Sequence, residues 1–134
     1  MLDTNVVSET RKLRPHGGVM AWLAATPAGQ LHLSSATLGE LQRGIERTRR
    51  TDIAKAAALE LWVDDLGLSM QVLTADGAVF RDWARLMERK SDHLIMDALI
   101  AATARVHGLT VATRNMRDFE KLDVPLFDPF AFRG

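Results

Sequence analysis

The sequence predicts an α/β fold with a mostly parallel sheet. Short β-type runs alternate with longer runs of helical period along the chain. No Asn-Gly or Asp-Gly joins two strand runs as a hairpin would, and Asp76-Gly77 falls at the start of a helix instead. The third observation is size. With 134 residues, 47% of them hydrophobic and 25% charged, the chain makes one ordinary domain, able to bury a core without staples.

Taken in order, Met1-Leu2 reads as the end of a first strand, and Asp3-Thr-Asn opens the turn after it. Leu31–Ser34 is a short strand. Ala36 to Arg49 is a helix with Leu38, Leu41 and Ile45 on one stripe. Asp52 is placed to cap a second helix that runs to Leu66. Gln71–Thr74 is a strand, and Ala75–Lys90 a helix with Val79, Phe80, Trp83 and Met87 facing inward. A very apolar helix from Asp92 to His107 stops at Gly108. Leu109–Thr113 is a strand, Asn115–Leu122 a turn or short helix, and Val124–Phe127 a last strand, put at an edge by Pro125.

Lys+Arg and Asp+Glu number 17 each, so the formal net charge is zero. That excludes a protein that coats nucleic acid by bulk charge, but not an enzyme with a local patch or a metal. The absence of Cys excludes a disulfide scaffold and a thiolate zinc site. The start lacks the basic residues and apolar run of a signal peptide. The long uncharged stretch Gly17–Gly39 is too polar and too broken by Pro27 to be a membrane span. The expectation is a soluble, cytoplasmic protein with no membrane partner.

Four acidic positions carry the chemistry. Asp3 sits at a strand tip, where it serves as a turn cap or as a functional acid. Asp97 is the only charge between Leu94 and Ala104, and its neighbours at i+3, i+4 and i+7 are Ile100, Ala101 and Ala104. With Asp92 as the cap, Asp97 lies inside the helix on an apolar stripe. There a carboxylate must be paired, protonated or bound to a cation, and the local cation is His93. Glu40 has small neighbours in Ala36, Thr37 and Gly44, and either reaches a site or pairs with Arg43 on a solvated face. Asn115 and Asp118 lie in the turn after a strand, where Asp118 either joins a site or pairs with Arg114 or Arg117. Carboxylates converging at a strand tip need a cation, and Mg2+ or Mn2+ suits an all-oxygen donor set.

Leu2–Glu9, Leu33–Gly44, Asp97–Ala104 and Val111–Phe119, in that order, resemble the PIN domain, and within it the VapC/FitB toxins of toxin–antitoxin systems. The resemblance implies a PIN-like three-layer α/β/α fold over residues 1–134 and a Mg2+- or Mn2+-dependent endoribonuclease. It implies Asp3, Asp97 and Glu40 as metal ligands, with the fourth catalytic acid in the Thr113–Asp118 turn, at Asp118 or in the position that here is Asn115. Thr4, Asn5, Ser8, Thr113 and Asn115 match its supporting polar positions. It also implies a homodimer, an RNA substrate, and an antitoxin of the VapB/FitA kind through which any DNA contact is made. Relatives place several apolar residues before the first Asp, and this chain has two.

Arginine supplies 13 of the 17 basic residues. Arg43 and Arg47, on the Glu40 helix, are candidates to position RNA phosphates. Trp22, Trp62 and Trp83 read as core or interface residues, and the four histidines as structural. Two rivals remain: a catalytically silent PIN-like module, and a haloacid-dehalogenase-type phosphatase. The second needs an acid two residues after Asp3, where this chain has Asn5.

Overall fold

The computed structural model describes residues 1–134. The elements are α1 (Thr4–Val7), α2 (Gly17–Ala25), β1 (His32–Ser34), α3 (Ser35–Arg49), α4 (Ile53–Ser69), β2 (Gln71–Leu73), α5 (Gly77–Met87), α6 (Ile95–Val106), β3 (Val111–Ala112), α7 (Met116–Phe119) and β4 (Leu126–Phe127). β1 pairs with β2, and β3 with β4, both in parallel. Met1–Asp3 lies between the two pairs. The Leu2 N–H donates to the His32 carbonyl at 2.9 Å, and the Ala112 N–H to the Met1 carbonyl at 2.8 Å. The spatial order is therefore β4, β3, Met1–Leu2, β1, β2, with β4 at an edge as Pro125 requires.

The pleat sends successive residues to opposite faces. Met1 and Leu73 join a core cluster with Val79 and Leu86 of α5, Ile100 and Ala101 of α6, and Phe119. Leu2, Leu33 and Val72 join the other, with Val6, Val7, Val19 of α2 and Leu66 of α4. A third cluster of Ile45, Ala56 and Val63 locks α3 to α4. Helices thus cover both faces, giving the three-layer α/β/α arrangement.

The helix signals hold at several ends. The Asp52 carboxylate accepts from the Lys55 N–H, Asp76 from Val79, and the Ser34 hydroxyl from Ala36 directly at the end of β1. Other expectations need correction. The helix expected from Asp92 opens as a separate 3-10 turn over Asp92–Leu94, α6 begins at Ile95, and Asp92 caps nothing. Phe80 is 47% exposed, while Leu86 takes its place in the core, because the buried stripe of α5 runs through Val79 and Leu86. β3 and β4 are each two residues long, shorter than their apolar runs. α2 carries none of the usual start signals: two glycines open it, and its cap is His16, whose Nδ1 accepts from the Gly18 and Val19 N–H groups. No helix is long and apolar enough to cross a membrane.

Gly108 ends α6 at φ +66°, and a Cβ there would meet nothing within 4 Å. Replacing it costs backbone strain alone. We predict that Gly108→Ala lowers the unfolding free energy by about 1 kcal/mol in urea melts, and Gly108→Asn by less.

Candidate active site

Four acids from four separate parts of the chain meet at the carboxyl ends of the central strands. Asp3 follows the bridge residue Leu2, and its own N–H donates to the Ala112 carbonyl at 2.9 Å. Its side chain is both cap and site acid. Oδ1 accepts from the Thr4 N–H at 2.8 Å, while Oδ2 accepts from the Thr113 hydroxyl at 2.7 Å and the Asn5 amide at 3.0 Å. Burial raises its pKa, and these hydrogen bonds oppose the rise.

Glu40 reaches the cluster from α3, because Thr4 rather than Arg43 is its partner. The Thr4 hydroxyl donates to Glu40 Oε1 at 2.9 Å. Burial raises the Glu40 pKa, the Thr4 bond opposes it, and the charge of Asp3 adds to it.

Asp97 stands in the first turn of α6, not a turn inside a longer helix, so the helix N-terminus offers its charge some support. Its carboxyl is nevertheless pushed up to about 7, chiefly by burial, then by the negative charges of Asp3, Glu40 and Asp118. His93 offsets this only partly, because its ring faces Asp118, with Nε2 3.5 Å from Oδ1.

Asn115 and Asp118 have distinct places. Asn115 Nδ2 donates to Asp97 Oδ2 and to Asp118 Oδ2, each at 3.2 Å. The Asn115 bond, aided by His93, holds the Asp118 carboxyl below the usual range. Neither Arg114 nor Arg117 pairs with it. The His93–Asp118 contact was not anticipated in the sequence; the signal was a histidine one turn before Asp97.

Ser8 is the expected residue that the cluster leaves out: it closes α1 through its backbone, and its hydroxyl makes no hydrogen bond to the acids. Arg43 and Arg47 are exposed and unpaired, while Arg49 is taken up by Glu46 and Glu60. Three of the sequence's assumed roles hold as read: Trp22 and Trp62 pack on the second core cluster, and Trp83 on the first. A cavity of about 710 Å³ is lined by Met1, Trp22, His32, Thr110 and Phe127, and holds none of the acids.

The donor set is all oxygen, with mutual repulsion and no Lys or Arg paired with any of the four carboxylates; only His93 stands near, against Asp118. That is the chemistry of a hard-cation site. No three of the acids lie close enough to cage an ion between them. Mg2+ keeps several of its waters, so carboxylates in such a set can hold it through water as well as directly.

The PIN domain model matches residues 1–125. The VapC ribonuclease Y4jK of Sinorhizobium fredii is 35% identical, over 97% of this chain and 96% of that protein. Toxin FitB of Neisseria gonorrhoeae is 33% identical, over 97% of each. The structure of FitAB bound to an IR36 DNA fragment aligns at a TM-score of 0.83 and 29% identity, over 99% of this chain and 96% of that one. The chain belongs to the PIN-domain family. Within it, the chain is of the VapC/FitB type.

The raised Asp97 pKa fixes a pH dependence. The folded protein holds this proton more tightly than the unfolded chain, so the contribution is full below 3.8 and lost as pH rises through about 7. In chelator, we predict that Asp97→Asn melts higher than wild type at about pH 8 and level with it at about pH 4. A wild-type advantage at pH 8 in thermal melts would sink the burial argument.

Proposed function

We propose that this protein is a divalent-metal-dependent endoribonuclease and the toxin of a type II toxin–antitoxin pair. The observation that carries the reading is the convergence of Asp3, Glu40 and Asp118 on Asp97, whose carboxyl is pushed up to about 7 by burial and then by those three acids, with His93 offsetting them only in part. The relatives named above support RNA as substrate.

Asp3, Asp97 and Glu40 would hold Mg2+ or Mn2+. When bound, the ion lowers the pKa of a water and offsets the charge that develops on the phosphoryl oxygens. The protein's own groups orient this set. Thr113 and Asn5 fix the Asp3 carboxylate, and Thr4 fixes Glu40. Asn115, between Asp97 and Asp118, acts as a clamp, and Asp118 serves as the fourth acid. Held ionised, Asp118 keeps its negative charge beside Asp97 and so adds to the cluster's pull on a cation. The phosphatase alternative is disfavoured, because Asn5 donates its amide to Asp3 where that chemistry needs an acid.

The partners follow from surface and relatives. Ile53, Leu61 and Leu68 of α4 are exposed, as are Phe80, Ile95 and Val106. Such apolar side chains suit a homodimer and an antitoxin, and DNA would be met through the antitoxin.

Purified protein is expected to cleave RNA in Mg2+ or Mn2+ and to stop in chelator. Asp97→Asn and Asp118→Asn should each lower the rate by about a hundredfold or more, and Asn115→Ala by about tenfold, as removal of a positioning bond does. Gel-based cleavage assays with matched thermal melts read this out. Calorimetry that detects no Mg2+ or Mn2+ binding at millimolar concentration would favour a catalytically silent module.

A further inference from the structure

We propose that Arg114 docks a non-scissile backbone phosphate of the RNA beside the acid cluster; this rests on the ribonuclease reading above. Arg114 directly follows Thr113, which donates to Asp3. Its backbone N–H donates to Asn5 Oδ1 at 3.2 Å, and the same Asn5 side chain donates to Asp3. Arg114 is therefore fixed at the lip of the site through its main chain.

Its side chain is fixed separately. The guanidinium carbon lies 4.4 Å from the centroid of the Phe130 ring. Phe130 is itself held, with the His16 ring edge-on at 4.9 Å and its N–H bonded to Asp128 Oδ1 at 2.9 Å. Arg114 pairs with no carboxylate, although Arg49 and Arg105 each find two partners elsewhere on the chain. Arg114 rests on the aromatic shelf, exposed, with the edge of its fork open.

That edge matches the geometry of a phosphate, which the fork takes through two N–H groups. RNA also needs such a contact here, because the acids repel its backbone. Arg43 and Arg47 carry the same charge but rest on nothing that fixes them, so each would lose more freedom on binding. A cation already stacked in place loses less.

The test uses a fluorescein-labelled, random-sequence single-stranded RNA of about 20 nucleotides and the Asp97→Asn protein in Mg2+, read by anisotropy at several salt concentrations. One lost phosphate contact on a single strand makes the slope of log K against log salt shallower by about 0.7. Adding Arg114→Ala should show that change with about tenfold weaker binding. Arg114→Lys should keep the parent slope, and Phe130→Leu should weaken binding about threefold while keeping the charge. In the cleaving protein, Arg114→Ala should raise KM more than it lowers kcat. Unchanged affinity overturns the proposal. So does weaker binding with an unchanged slope, which would mean base stacking or a structural role. Wild-type protein that fails to cut this RNA refutes the ribonuclease reading instead, and the slopes still report on Arg114.

Discussion

The main-chain hydrogen bonds of Met1–Asp3 are the constraint on which the rest depends. A two-stranded parallel piece is weak by itself, and this sheet is made of two such pieces. The segment between them donates to β1 and both donates to and accepts from β3, so it turns two pieces into one layer. The same bonds fix the Asp3 backbone at the point where the sheet ends. Thr4 and Asn5 then enter α1, and Thr113 leaves β3, so the donors that satisfy the buried Asp3 carboxylate are supplied by chain already held in place. Sheet continuity and site geometry come from one short stretch.

Around that stretch the acids are held against their own repulsion. The energy comes from the two apolar layers, not from the site. α6 shows how. Ala98, Ala101, Ala102 and Ala104 are fully buried, and such small side chains let the helix lie close to the sheet. That approach brings Asp97 toward Asp3 at the helix end where the peptide dipoles are favourable. The acids end in unequal states: Asp118 is kept ionised by Asn115 and His93, and Asp97 is kept near neutrality by burial and its neighbours. Environments that separate the pKa values of neighbouring carboxyls divide their chemical roles.

What the sequence made legible follows from the physics of each feature. Periodicity located the long helices, and Asp52 advertised the start of α4 by its side-chain chemistry; the structure adds Asp76 and Ser34 as caps of the same kind. Asp97 stood out because a lone charge on an apolar stripe has no cheap explanation. The partners of Glu40 and Asp118 were not legible. Local spacing offered Arg43, Arg114 and Arg117, and three-dimensional packing chose Thr4, Asn115 and His93 instead. α2 was hidden because its cap is an imidazole nitrogen and its first turn is glycine. The break before α6 was hidden because a 3-10 turn carries the same apolar pattern as the helix it precedes.

The zero net charge takes its meaning from how the arginines are spent. Arg49 bridges Glu46 on α3 to Glu60 on α4, and Arg105 ties α6 to Asp82 on α5 and to Asp123 near the start of β4. These cations are neutralised within the fold and contribute little field outside it. The acids of the cluster, by contrast, have only His93 beside them, against Asp118. A balanced sum therefore conceals an electronegative mouth that would turn a polyanion away. Approach of RNA then depends on charge brought in by an ion and on the few cations left unpaired near the mouth. Among these, Arg114 differs in being stacked on a ring, Phe130. Stacking fixes that cation without spending its charge on an internal partner, so the charge stays available to offset the repulsion between the acids and a polyanion.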